Sequence, residues 1–188
     1  MKKILLATAM LLSLSGQVFA QNMIPDESTE APKVSPTIQK IVADNQHVSL
    51  CMAIWGSLAK MDVGTGLSLI DNPATTDLGT KFLNDSQIEA AKMTAALGLA
   101  VETLPPRIKA EGRPDVSSEE VMAVTLRVSS QMMLRFSKEL GTDLREDYMG
   151  ITRMREESTK CETFLGTLGN FVVASPEPVD LNKIRSAD

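Results

Sequence analysis

The chain has 188 residues, with 24 acidic and 19 basic side chains, one histidine, two cysteines and 4% aromatic residues. This length suits a single domain. Nucleic acids are bound by clustered lysine and arginine and by aromatic side chains that stack on bases, so an acidic chain with few aromatics and no basic run is not expected to bind them. The same negative charge argues against docking on anionic membranes.

The first 20 residues have the pattern of a bacterial secretory signal peptide. Lys2 and Lys3 precede an apolar run over residues 4–14, and Ala20 ends the segment. This run of about 11 residues is shorter than the roughly 20 that span a bilayer, so cleavage after Ala20 is expected rather than anchoring. Cleavage leaves 17 basic and 24 acidic residues, a formal charge of -7. We therefore expect an acidic protein in the periplasm or outside the cell.

Two terminal segments of the mature chain are expected to be flexible. Residues 21–34 are polar and interrupted by two prolines, and residues 175–188 carry Pro176 and Pro178 in a similar context. Neither segment offers enough apolar surface to offset the entropy that is lost on ordering. The folded helical domain is therefore expected to cover residues 35–174.

Cys51 and Cys161 predict a disulfide, because an even number of cysteines in an exported chain usually pairs in an oxidising compartment. The bond would close a loop of roughly 110 residues, for which the chain-entropy model gives about 4 to 5 kcal/mol of stabilisation. The wide separation excludes a Cys-x-x-Cys redox pair, so a structural role is expected. Two buried thiols are the alternative.

Helical periodicity dominates the residues between the flexible ends. Ser35 before Pro36 provides an N-cap, and apolar residues at three- and four-residue steps predict a first long helix over residues 36–61. Breakers then leave room only for a short helix at 76–83. Start signals for three more long helices follow. These helices are predicted over residues 85–103, 117–140 and about 143–172.

The clearest helix start is the capping box of Ser117 and Glu120. The stretch at 93–101 is apolar on nearly all sides and rich in alanine, which favours a central position among the helices. No alternating β-branched run bounded by hairpin turns is found. The sequence therefore predicts an all-α bundle of four long helices plus one short helix. The disulfide would join the first and last long helices, and the last two long helices would be antiparallel neighbours.

Short motifs that resemble catalytic or ligand sites are better explained by structure. Ser57 and Lys60 match the Ser-x-x-Lys pattern of penicillin-recognising enzymes, but the companion motifs are missing, and about one such match is expected by chance in a chain of this length. His47 is the only imidazole, so we expect no metal cluster built from histidines and no cofactor. The Gly-Thr-Gly sequence at 64–66 is interpreted as a turn.

Four side chains form the candidate binding patch. Met132 and Met133 lie on one predicted helix, and methionine both fills irregular cores and builds adaptable binding surfaces, core filling being the more common use. Trp55 and Tyr148 are amphipathic aromatics on helices that we expect to adjoin, and such residues often anchor interfaces.

The absence of recognisable catalytic chemistry favours a non-enzymatic protein that binds another periplasmic or envelope protein. An inhibitor or immunity protein, a chaperone-like factor and an accessory subunit of an envelope or secretion assembly all fit a small acidic scaffold. The first is slightly favoured, because an acidic protein is steered toward basic lytic enzymes. The alternative is a carrier with a methionine- and alanine-lined cavity for a small hydrophobic ligand. A hydrolase that uses Ser57 and Lys60 is a third possibility.

Overall fold

The computed structural model describes residues 35–112, 116–143 and 148–185, without the side chains of residues 138–150, 183 and 185. The helices are α1 (Pro36–Leu69), α2 (Thr76–Ala110), α3 (Ser118–Asp143), α4 (Tyr148–Leu168) and the five-residue α5 (Leu181–Arg185). The described residues contain no strand, so the predicted all-α class is confirmed for them. The expected signal peptide and leader lie outside the described residues. None of the described helices combines the length and the apolar composition that crossing a bilayer requires.

α1 begins at the cap that the sequence predicts. The Ser35 hydroxyl accepts a hydrogen bond from the Ile38 N–H at 3.2 Å, and Pro36 occupies the first turn, where its missing N–H costs nothing. The predicted end near residue 61 is wrong, because α1 continues to Leu69.

The Gly-Thr-Gly sequence at 64–66 is helical rather than a turn, and the reason lies in the neighbouring helix. A Cβ atom added at Gly66 would lie 2.9 Å from the Gly79 carbonyl oxygen and 2.7 Å from Leu83 Cγ. The two glycines therefore let the end of α1 and the start of α2 approach until their backbones touch. This packing offsets the low helix propensity of glycine.

The short helix predicted at 76–83 is not a separate element. It forms the first part of α2, which runs from Thr76 through the predicted start near residue 85 to Ala110. The tight connection from α1 is held by the Thr75 hydroxyl, which donates to the Leu69 carbonyl at 2.8 Å. The bundle therefore lacks the fifth element that the sequence predicts at this place.

Pro105 and Pro106 lie inside α2, although the sequence predicts that they end it. A proline has no N–H, so the carbonyl four residues earlier loses its helical donor. The Val101 carbonyl, freed in this way, accepts a hydrogen bond from the Ser118 hydroxyl at the start of α3, at 3.5 Å. Because Leu104 and Ile108 also pack into the core, continuing the helix past the prolines is favourable.

α1 is the central helix of the bundle. Its residues 51–58 are all buried, and α2, α3 and α4 each pack against it. The alanine-rich stretch at 93–101, which the sequence predicts to be central, is fully buried only at Ala96, Leu99 and Ala100. Within the described residues α3 and α4 make almost no direct contact, so α1 rather than a shared interface holds them together.

The predicted disulfide between Cys51 and Cys161 is present, and it joins α1 to α4 with the Cα atoms 5.5 Å apart. The sequence predicts this bond between the first and last long helices, and α1 and α4 are the first and last helices of more than five residues that the structure describes. The short helix α5 that follows is not involved. The bond clamps the central helix to one of its three neighbours.

An extended segment over residues 170–180 follows α4 and runs back along α2. The Phe171 ring stacks on Trp55 with centroids 5.8 Å apart. Further along, the Val179 N–H donates to Asn84 Oδ1 at 2.8 Å. Part of the predicted flexible tail, residues 175–185, therefore contacts α2 and ends in α5.

Candidate functional site

Trp55, an anchor of the predicted binding patch, lies in the core. Its side chain is fully buried, and its indole Nε1 donates a hydrogen bond to Ser158 Oγ at 2.8 Å. Phe171 covers one face of the indole. An indole whose N–H is satisfied and whose ring is enclosed stabilises the fold and is not available to a partner.

The other members of the predicted patch do not form an exposed surface with Trp55. Met133 is half-buried and packs at Gly56, where an added Cβ atom would lie 2.7 Å from Met133 Cε. Met132 is also half-buried. Tyr148 begins α4, and its side chain lies outside the described set. At Gly56, methionine therefore acts as core filler, the more common of its two uses.

The exposed apolar residues of α3 form a different surface, which we call the α3 stripe. It consists of Met122, Leu126 and Leu134, whose side chains are 39%, 41% and 64% exposed. These residues are four and eight positions apart, so they follow one side of the helix. The exposed Arg127 and Arg135 lie beside the stripe, and residues 121–137 contain no acid in an otherwise acidic chain.

The face of α3 that adjoins the stripe buries small polar residues. The Thr125 hydroxyl is fully buried and contacts Asn45 Oδ1 at 2.8 Å and the Val121 carbonyl at 2.7 Å. Ser129 is also buried, and Ser49 of α1 donates to the Asn45 carbonyl at 2.9 Å. The usual polarity of an amphipathic helix is therefore partly reversed, because larger apolar side chains face solvent while threonine and serine face the core.

A partly buried charged cluster ties α1, α2 and α4 together. Asp62 is only 2% exposed, and Arg155 donates to it at 3.1 Å. Lys92 bridges Glu162 at 2.9 Å and Glu89 at 3.3 Å. Burial raises the pKa of Asp62 and the pKa of Glu89, although the neighbouring cation opposes the rise in each case. Burial would lower the pKa of Lys92, but the hydrogen bonds and charges of the two glutamates raise it overall.

The cluster continues into a cleft between α2 and the extended segment. The cleft has a volume of about 570 Å³ and is lined by Asn84, Gln87, Ile88, Lys92, Glu162 and residues 173–178. The Gln87 Oε1 atom is buried without a hydrogen-bond partner, as is Glu89 Oε2. The walls are thus mixed polar and apolar, unlike the methionine- and alanine-lined cavity that a hydrophobic carrier would use.

Ser57 and Lys60 do not form a catalytic pair in this arrangement. Ser57 is buried and its Oγ has no hydrogen-bond partner, whereas Lys60 is exposed. A lysine activates a serine nucleophile only when the two side chains are within hydrogen-bond reach. The geometry therefore gives the hydrolase possibility no support.

His47 lies beside the disulfide, a juxtaposition that the sequence prediction missed. A ring nitrogen of His47 and the Sγ atoms of Cys51 and Cys161 all lie within 4.8 Å of one another. In the sequence, this arrangement is indicated only by the spacing of His47 and Cys51, which are one helical turn apart. The approach of Cys161 becomes visible only when α4 is placed on α1.

Three features stand out in the described residues: the α3 stripe, the partly buried charged cluster, and the imidazole beside the disulfide. No protein-family model matches the chain, and neither a curated protein nor a solved structure matches it.

Proposed function

We propose that this chain is an exported, non-enzymatic protein that binds another protein through the α3 stripe. One observation carries the proposal: α3 buries Thr125 and Ser129 while it exposes the larger Met122, Leu126 and Leu134. Large apolar side chains that follow one exposed side of a helix are typical of a surface that a partner covers.

Export is supported by the N-terminal pattern and by the disulfide. A positively charged start, a short apolar run and Ala20 fit a secretory signal. The Cys51–Cys161 bond is of a kind that persists in oxidising compartments and is rare in the cytosol. We place the protein in the periplasm or outside the cell on these two grounds.

The charged side chains around the α3 stripe indicate what kind of partner surface it fits. Arg127 and Arg135 flank the apolar side chains, and residues 121–137 contain no acid, although the exposed Glu119 lies one turn before Met122 at the start of α3. A partner surface with apolar anchors and acidic neighbours would complement this face and associate faster. This local charge favours an accessory subunit or a chaperone-like factor over an inhibitor of a basic lytic enzyme.

The experiment is a pull-down from the native envelope with the wild-type protein and matched variants as bait. Leu126→Asp and Leu134→Asp place a charge in the stripe without disturbing a buried side chain. Leu78→Asp is the control, because Leu78 is 49% exposed on α2, outside the stripe. Wild type and the control should retain the same stoichiometric protein partner, and both stripe variants should lose it. Equal recovery by all baits, or no protein partner for the wild type, would refute the proposal.

The carrier alternative has less support. Met93 and Met133 both reach Gly56, where an added Cβ atom would lie 3.2 Å from Met93 Sδ and 2.7 Å from Met133 Cε. Side chains therefore fill the space between the helices at the level where a methionine-lined cavity was expected. Native mass spectrometry of the purified protein separates the two functions. A retained hydrophobic molecule at one per chain would favour the carrier.

A further inference from the structure

Three potential metal ligands converge where α4 crosses α1. His47 and Cys51 are four residues apart on α1, so their side chains share one side of the helix. Cys161 reaches the same place from α4. One ligand atom from each residue lies within 4.8 Å of the other two.

The site can be reached from solvent on the side of His47. Cys51 and Cys161 are buried, whereas His47 is exposed. The His47 ring lies against Phe164, with centroids 3.9 Å apart and planes 14° from parallel. This stacking holds the imidazole beside the sulfur atoms, at the boundary between the core and the solvent.

We propose that His47, Cys51 and Cys161 bind one Cu⁺ ion when the disulfide is reduced. Thiolates are soft ligands that favour Cu⁺ and Zn²⁺ over harder ions, and imidazole binds both metals. Two thiolates and one imidazole nitrogen provide the three ligands of a trigonal Cu⁺ site without any further ligand. A Zn²⁺ ion on the same residues would need a water molecule as its fourth ligand.

Binding and disulfide formation exclude each other, which makes the site redox-controlled. A dithiol reductant gives two electrons and two protons to the Cys51–Cys161 bond, which breaks into two thiols while the reductant becomes a disulfide. Cu⁺ then replaces the two thiol protons, which leave to solvent, and two Cu–S bonds and one Cu–N bond form. A disulfide oxidant reverses the change. Its own S–S bond breaks as it takes two electrons from the thiolates and two protons from solvent to become two thiols, while the Cys51–Cys161 bond re-forms and Cu⁺ is released in the same oxidation state.

This inference is independent of the α3 stripe, since its ligands lie on α1 and α4. If the wild-type protein captured no partner in the pull-down, the Cu⁺ site would be unaffected. If the reduced chain bound no Cu⁺, the proposed function would be unaffected.

The test uses the full chain, reduced under anaerobic conditions with a phosphine that is then removed. Cu⁺ is titrated in competition with a chromogenic Cu⁺ chelator, and far-ultraviolet circular dichroism is recorded at each step. We expect one Cu⁺ per reduced chain, helical content equal to that of the oxidised protein, and no binding by the oxidised protein. His47→Ala should weaken binding by about tenfold or more, because even groups that only support a ligand are worth about 10- to 100-fold in affinity.

The His47→Ala variant supplies its own folding control, because the exposed imidazole can be removed while the disulfide remains. Its oxidised form should unfold at the same temperature as oxidised wild type to within a few degrees. Three results would overturn the proposal: no Cu⁺ bound at one equivalent, His47→Ala binding as tightly as wild type, or binding only by a chain that has lost its helical signal. Binding of Zn²⁺ in preference to Cu⁺ would overturn the assignment of the ion.

Discussion

The hydrogen bond between Trp55 and Ser158 shows how a single residue connects two helices in this core. The indole Nε1 lies 2.8 Å from the Ser158 hydroxyl, and both side chains are buried. Ser158→Ala would leave the indole N–H without a partner, and a buried unsatisfied donor costs about 1 to 3 kcal/mol. We expect the free energy of unfolding to fall by this amount in urea titrations followed by the fluorescence of the single tryptophan.

The control for this prediction is Ser130→Ala, which removes an exposed hydroxyl from α3. Substitutions at such surface positions usually change stability by less than about 0.5 kcal/mol. If both variants lose the same small amount, the Trp55 bond does not contribute as argued. The sequence identified Trp55 as an amphipathic aromatic, but it could not show which element supplies the partner, because Ser158 lies 103 residues away.

Glu89 gives the fold a pH dependence whose sign follows from its burial. Burial raises the pKa of Glu89 above its ordinary value of 4.5, and the Lys92 ammonium only partly opposes this. The folded chain therefore takes up a proton more readily than the unfolded chain. The resulting stabilisation is complete below about pH 4.5 and is lost as the pH rises through the pKa of the folded state.

Glu89→Gln should remove this pH dependence, because the amide keeps the shape of the side chain and cannot ionise. Urea titrations at pH 4.5 and at neutral pH measure the effect. The free energy of unfolding of the variant, relative to wild type, should be higher at neutral pH than at pH 4.5. Glu157→Gln is the control, since the Glu157–Lys160 pair is exposed to solvent. A difference that is the same at both pH values would show that Glu89 does not titrate in this range.

At the scale of the helices, the contact between Gly66 and Gly79 decides how closely α1 and α2 approach. Gly66→Ala would place a Cβ atom 2.9 Å from a backbone oxygen that cannot move without its helix. Overpacking of this kind costs about 1 to 3 kcal/mol. Gly64→Ala, two residues earlier in α1, meets nothing within 4 Å and should instead stabilise the helix by roughly 0.5 to 1 kcal/mol.

The two variants are compared by thermal unfolding under one set of conditions, and their effects should have opposite signs. A rise of the unfolding temperature in both variants would show that helix propensity, and not the contact with Gly79, dominates at Gly66. The pair therefore separates a local property of glycine from its role in packing.

The starts of α1 and α3 could be predicted from the sequence because their capping partners are local, whereas the start predicted near residue 85 is wrong, since α2 already begins at Thr76. At Ser117 the predicted capping box is present: the Glu120 N–H donates to the Ser117 hydroxyl at 3.1 Å, and the Glu120 carboxylate accepts from the Ser117 N–H at 2.9 Å. The helix ends could not be predicted in the same way. Gly66 continues α1 because Gly79 lies against it, and Pro105 is tolerated in α2 because Ser118 satisfies a freed carbonyl.

For the candidate sites, too, local patterns are visible in the sequence, whereas contacts between distant segments are not. The spacing of Met122, Leu126 and Leu134 is visible in the sequence, but their exposure is not, because the adjoining face of α3 buries small polar residues instead. The sequence predicts Trp55 as a candidate binding residue because its amphipathic ring suits an interface. Its burial depends on Phe171, which belongs to a segment with no periodic pattern of its own.

At the scale of the whole molecule, α1 organises the bundle through buried acids as well as apolar packing. Asp44 pairs with Arg107 of α2 at 2.7 Å, and Asp62 pairs with Arg155 of α4 at 3.1 Å. A buried ion pair adds little net stability, because desolvation offsets its attraction. Each pair nevertheless penalises a sliding of one helix along the other, since a shifted helix would leave a buried carboxylate without its cation.

The disulfide is the strongest single constraint on the whole bundle, because it links residues 110 positions apart. For a loop of this length the chain-entropy model gives about 4 to 5 kcal/mol, a large share of the roughly 5 to 15 kcal/mol that keeps a domain folded. We expect Cys51→Ala combined with Cys161→Ala to lower the free energy of unfolding by this amount in urea. Wild type reduced before the titration should lose a similar amount, which separates the missing bond from the missing sulfur atoms. A loss below about 1 kcal/mol in both would mean that packing on α1 alone holds α4, so that the fold would not depend on an oxidising compartment.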